Sequence, residues 1–115
     1  MEVMLMCEFK VSVSDGKSSS VVATDIVYAE QVEGRVVLRD ILGVSSEVDS
    51  AVISYVNVNS QQMKLLSLPI LSSFLRFVEL YTQCASGRGA TDELESVWNR
   101  LTEEGNRLIE GLKSK

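Results

Sequence analysis

Histidine is absent from this 115-residue chain, and cysteine occurs only twice. Without histidine the chain lacks the side chain best suited to move protons near neutral pH, and one of the commonest metal ligands. No nucleophile elbow, P-loop or glycine-rich dinucleotide turn is present either, so the expectation is a protein that is not an enzyme. Two thiols do not make a disulfide framework, and they point to a reducing cytoplasm. The Met1–Met6 stretch is apolar but short. It has no basic leader region and no small-residue cleavage site, so it is not read as a signal. No run approaches the ~20 apolar residues that span a bilayer. The longest apolar segment, Leu65–Leu75, is interrupted by serines and by Pro69, the single proline. Positive charge is also scarce: 11 Lys and Arg stand against 16 Asp and Glu, a net charge of −5. Most of that deficit falls in residues 1–66, which argues against a broad track for a phosphate backbone.

What is present is an ordinary globular balance, 45% hydrophobic and 23% charged, in a chain long enough for one core. The opening stretch sets the pattern. Leu5, Cys7, Phe9, Val11 and Val13 alternate with Glu8, Lys10, Ser12 and Ser14, which predicts a half-buried strand. Asp15-Gly16 is a hairpin signal. Extended segments follow at Val21–Thr24, Asp25–Val32 (with Ile26, Tyr28 and Val32 in phase), Arg35–Asp40, Val44–Val48, Ala51–Val58 and Gln62–Leu66. Turn signals recur about every ten residues, the mark of a small antiparallel β-barrel or a strongly bent sheet. Val37, Ile53 and Tyr55 fall out of phase with the core positions. Their exposure implies a cover, either the C-terminal half or another copy of the chain.

Near Leu66 the period changes from two to 3.6. Pro69 suits a first helical turn, with Ser67 or Leu68 as the cap. The apolar positions of Ile70–Tyr81 are too broad for one stripe. Gly87 suits the C′ position, and a second helix opens at Thr91 or Asp92 with its acids at the positive end of the dipole. Leu94, Val97, Trp98, Leu101, Leu108 and Leu112 form one face. Gly105 sits near that face, where close approach to the first helix would account for it. The fold class is therefore α+β, with a barrel module over residues 1–66 and a helical hairpin over residues 67–115. The hairpin packs either on the barrel or on a dimer partner, and Phe74, Phe77 and Tyr81 are its candidate dimer or partner interface. Cys84 is read as a packing residue.

Residues Met6–Leu66 resemble the CooT-like family of small β-proteins, which begin Met-Cys. The matching pieces are Met6-Cys7-Glu8, Asp25-Ile26-Val27-Tyr28, Glu33-Gly34 before Val36-Val37-Leu38, Asp40-Ile41-Leu42-Gly43, and the valine-rich strand ending Asn57-Val58-Asn59-Ser60. The resemblance implies a homodimeric small barrel, nickel binding in support of a nickel enzyme, and a metalloenzyme or accessory-protein partner. It makes Cys7 the metal-binding residue. The helices have no counterpart in the short relatives. If the chain starts at Met6 and that methionine is removed, Cys7 offers a free amine as well as a thiolate; otherwise its nitrogen is an amide. One chain offers few thiolates, so two Cys7 residues meeting across a two-fold axis would complete a nickel site. Cys7 also lies in phase with core positions, which keeps a buried thiol as the alternative. Relatives are also described as RNA-binding. For that alternative the candidates are Lys10, Arg35 and Arg39, with Tyr28 and Tyr55 as stacking platforms. Asp25 and Asp40 sit at strand ends, where aspartate serves backbone hydrogen bonding.

Overall fold

The computed structural model describes residues 8–114. Six strands precede two helices: β1 Phe9–Ser14, β2 Ser19–Val32, β3 Arg35–Asp40, β4 Ser45–Asp49, β5 Ala51–Asn57, β6 Gln62–Ser67, α1 Ile70–Ala85 and α2 Thr91–Lys113. The strands form one sheet in the order β4-β3-β2-β1-β6-β5. Every neighbouring pair is antiparallel except β1 and β6, which run parallel, with Lys10 opposite Gln62 and Ser14 opposite Leu66. The sheet curls into a half-barrel. Its far strand comes back to β3 at Ala51, whose N–H donates to the Gly34 carbonyl at 3.2 Å. The Gln31 side-chain amide donates to the Ala51 carbonyl at 2.7 Å.

The inward faces supply the core. Val11, Ile26, Val36, Leu38, Ala51, Met63 and Leu65 are buried together, with Phe9, Val13, Ala29 and Ile53 packed against them. The alternations expected at Phe9–Val13, Val36–Leu38 and Met63–Leu65 therefore hold. Leu5 and Cys7 lie outside the described residues. Two expectations of phase change. A register shift between Ile26 and Tyr28 turns Tyr28 outward, and Ala29 takes the core side. On β5, Ile53 joins Ala51 on the core side, and a second shift, between Ile53 and Tyr55, turns Tyr55 off that face and leaves it exposed. In each case an extra residue on one strand breaks the period-two rule.

The turns follow their side chains. Asp15 accepts the N–H groups of Lys17 and Ser18 at 2.9 and 3.0 Å, and Gly16 adopts φ 95°. Those N–H groups, Ser18 first, hold the Asp15 carboxyl below the usual carboxylate range. At Glu33-Gly34 the left-handed residue is Glu33, at φ 53°. Gly34 answers a different need: a Cβ there would lie 3.2 Å from the Ser72 Cα. Glycine thus clears the place where α1 rests on the sheet.

Pro69 has helical dihedrals immediately before α1, and the Leu68 carbonyl accepts the Leu71 N–H at 3.0 Å. The helix ends in a Schellman arrangement: Gly87 at φ 83°, its N–H on the Cys84 carbonyl and the Arg88 N–H on that of Gln83. The helices pack along Ser73, Leu80 and Val97, the buried residues of the hairpin. Gly105 faces Ile70, but a Cβ there would stand 3.9 Å from the Ile70 Cδ1, an ordinary contact. Close approach within the hairpin therefore does not demand this glycine. The hairpin meets the sheet near the start of α1, where the Ser72 and Ser50 hydroxyls share a 2.6 Å hydrogen bond. Beyond that it stands off. The Cα radius of gyration is 17.4 Å, against about 13 Å for a compact chain of this length.

Candidate functional site

The opening of β1 is the place the sequence marks. Cys7 itself lies outside the described residues; the structure begins with its neighbour Glu8. Phe9 pairs with Ile26, and Ile26 with Asp40, so β1, β2 and β3 meet in one row. On the other side of β1 the Lys10 N–H donates to the Gln61 carbonyl at 2.9 Å. Between these strands opens a cleft of about 360 Å³, lined by Glu8, Lys10, Thr24, Asp25, Ser60 and Gln61 among others.

Two residues of that cleft hold unusual backbone. Asp25 and Gln61 sit at φ 57° and 55°, left-handed conformations that non-glycine residues seldom adopt. Register shifts gather around Asp25 along β2, two against β1 between Val21 and Ile26 and one against β3 between Ile26 and Tyr28. The strand therefore bends there, and the Asp25 carbonyl accepts the Ile41 N–H at 2.9 Å. Period-two analysis treats β2 as two segments joined at Asp25 and does not find the cleft. The signal for it is the aspartate itself, one of the few residues that tolerates a left-handed turn inside a strand.

The next loop is built by Asp40. Its carboxylate accepts the N–H groups of Leu42 and Val44, each at 2.9 Å. Asp40 thus serves the backbone, as expected. The result is a fixed turn that presents Ile41, Leu42 and Val44 outward, with Leu42 85% exposed.

The donors of the cleft are carboxylate, hydroxyl and amide oxygens with the Lys10 ammonium. Oxygens of this kind suit hard cations or polar ligands; a nickel ion bound through sulfur needs thiolate. Among the described residues no group of three or more His, Cys, Asp and Glu could hold a metal ion. The described residues therefore do not by themselves fit a nickel site, and Cys7 would have to supply the soft donor.

The other candidates are dispersed. Arg39 lies over the Tyr28 ring, 4.6 Å from its centroid. The Tyr28 hydroxyl donates to Glu30 at 2.7 Å, and that bond holds the phenol above its ordinary value. Arg35 is paired with Glu47 at 3.3 Å. Lys10 lines the cleft, and Tyr55 lies exposed on β5. On the hairpin, Phe77 stacks on Tyr81 with centroids 6.5 Å apart and tilts against Trp98 at 5.3 Å. Phe74 and Tyr81 are exposed. No helix among the described residues is long and apolar enough to cross a membrane.

Comparison with known families adds one finding. The family model described as CO dehydrogenase accessory protein CooT matches residues 6–65. The match covers the sheet almost to the end of β6 and stops before the helices. No curated protein matches the chain.

Proposed function

The chain belongs to the CooT family, and from that premise we propose that it is a non-enzymatic accessory protein that carries nickel as a homodimer, with Cys7 as the ligand. Nickel here is cargo, handed to a partner enzyme of the kind the family description names. The observation that carries the proposal is the alignment of the family match with the fold. The match opens at residue 6, so Cys7 falls at the head of the family's own module. That head leads into the cleft of Glu8 and Asp25. The thiolate would supply the soft donor that the cleft oxygens lack. Two copies are needed because one chain brings a single thiol to this end of the sheet; Cys84 lies late in α1. The exposed apolar turn at Leu42, anchored to Asp25 through Ile41, gives this region a surface suited to a protein contact.

Nickel titration of protein beginning at Cys7, against its Cys7→Ala variant, tests the proposal. The expected result is one nickel ion per two chains for the parent and loss of that binding in the variant. Binding should weaken with acidification, because protons compete for the thiolate. Equal binding by the two proteins would remove Cys7 from the site and the proposal with it.

A further inference from the structure

Helix α1 carries two seams at heptad spacing. Ile70, Ser73, Phe77, Leu80 and Cys84 form the first, stepping alternately by three and four. This seam meets α2: Ser73 and Leu80 are buried, Phe77 touches Trp98, and Ile70 lies over Gly105. Leu71, Phe74, Val78, Tyr81 and Ala85 form the second, displaced by one residue. Phe74, Val78 and Tyr81 are each about half exposed. Helix α2 repeats the device. Leu94, Val97 and Leu101 face α1, with Val97 buried, and Glu95, Trp98, Thr102, Gly105, Ile109 and Leu112 make a second seam, of which Trp98 and Gly105 also touch α1. Trp98 and Ile109 are half exposed, and Leu112 is 70% exposed.

The helices run antiparallel, with Ile70 beside Gly105 and Phe77 beside Trp98, so seams displaced by one residue in the same direction on each helix lie on one side of the hairpin. The opposite side is closed by charge: Arg76 bridges to Glu93 at 2.8 Å and to Glu79 at 3.0 Å. Arg76 and Glu79 are the only charged residues of α1, so its outer seam is free of charge. An isolated pair of helices needs one seam on each. A four-helix bundle needs two, since each helix then touches two neighbours. Both helices carry the second seam, displaced in the same direction.

We propose that the outer face of the hairpin is covered by the same face of a second copy, forming a four-helix bundle about a two-fold axis. The area fits: the exposed parts of Phe74, Val78, Tyr81, Trp98, Ile109 and Leu112 amount to roughly 700 Å² per copy, against about 800 Å² per partner in a standard interface. The chemistry fits as well. The face carries a single charge, Glu95 near the loop end of α2, and so offers little to a strongly charged partner, whereas an isologous contact matches apolar surface to apolar surface. This bundle stands independently of Cys7 and of nickel.

Light scattering coupled to size exclusion, on the full chain under reducing conditions and over a range of concentrations, tests it. The parent should have twice the chain mass. Val78→Glu should raise the dimer dissociation constant about a hundred-fold or more, by placing an unpaired charge in the seam, with the far-UV helical signal unchanged. Cys7→Ala should leave the dimer intact. Tyr81→Gln, a milder change, should weaken association at least about ten-fold, and it replaces Val78→Glu if that variant unfolds. A monomeric parent would overturn the bundle: the face would then be covered by the chain's own sheet or by a different protein. A folded Val78→Glu or Tyr81→Gln protein that dimerises as tightly as the parent would overturn it equally.

Discussion

The sheet and the hairpin bury their apolar residues to very different extents. In the half-barrel, seven residues from five strands close on one another, and Val11, Val36, Leu38, Ala51 and Leu65 reach complete burial. In the hairpin, thirty-nine helical residues bury only Ser73, Leu80 and Val97, while Phe74, Tyr81, Trp98, Ile109 and Leu112 face outward. The sheet closes its inner face, while Val21, Leu42, Val44 and Val58 stay exposed on its edges and turns. The hairpin satisfies one seam per helix and leaves the other to something outside the monomer. A module with a closed inner core is thus joined to an element whose packing is incomplete, which makes the hairpin a second place, beside the Leu42 turn, where assembly should be sought.

Core substitutions test this contrast most strongly. Leu65→Ala should cost about 2–5 kcal/mol, the range for large-to-small changes at a fully buried site. Leu112→Ala should cost less than about 0.5 kcal/mol in a monomeric Val78→Glu background, as expected of an exposed position. Urea denaturation reads both, and similar losses would break the distinction between the two regions. Next in size is the junction. Gly34→Ala brings a methyl against Ser72 and should cost about 1–3 kcal/mol through overpacking. Denaturation of the full chain measures it, and a neutral result would mean that α1 yields freely at its foot.

Gly105→Ala should act in the opposite direction. The hairpin has room for the methyl, so the variant in the Val78→Glu background should gain up to about 1 kcal/mol of helix propensity. A loss instead would show that α2 lies closer to α1 than its 3.9 Å clearance at Ile70 indicates.

The smallest effect is at the β1–β2 turn. The folded Asp15 carboxyl titrates below its unfolded value near 3.8. Its contribution to stability is therefore fully present above that value and is lost as pH falls through the lower folded value. Amide shifts of Lys17 and Ser18 followed by NMR should move only below about pH 4. A transition nearer pH 5 would show that the turn does not favour the charged form.

Much of this was readable in advance because it is local. Met63 and Leu65 lie two residues apart on a short strand, and both are buried as period two requires. Pro69 and Gly87 mark helix ends through their own dihedral preferences. Tyr28 and Ile53 were misplaced because each lies next to a bulge, and a bulge is set by pairing with a distant strand. The parallel pairing of β1 with β6 is of the same kind. At the candidate site, the backbone role of Asp40 was legible. The cleft was not, since it sets Asp25, within β2, beside Gln61 of the turn before β6.

The sequence alone determined the periodicities, the turns and a hairpin with more apolar surface than one contact can use, because each is written within a few neighbouring residues. Only the tertiary structure decided that the sheet curls back at Ala51 and that the helices meet it chiefly at Ser72. Those outcomes depend on register and clearance between segments far apart in the chain, which no short stretch of residues encodes by itself.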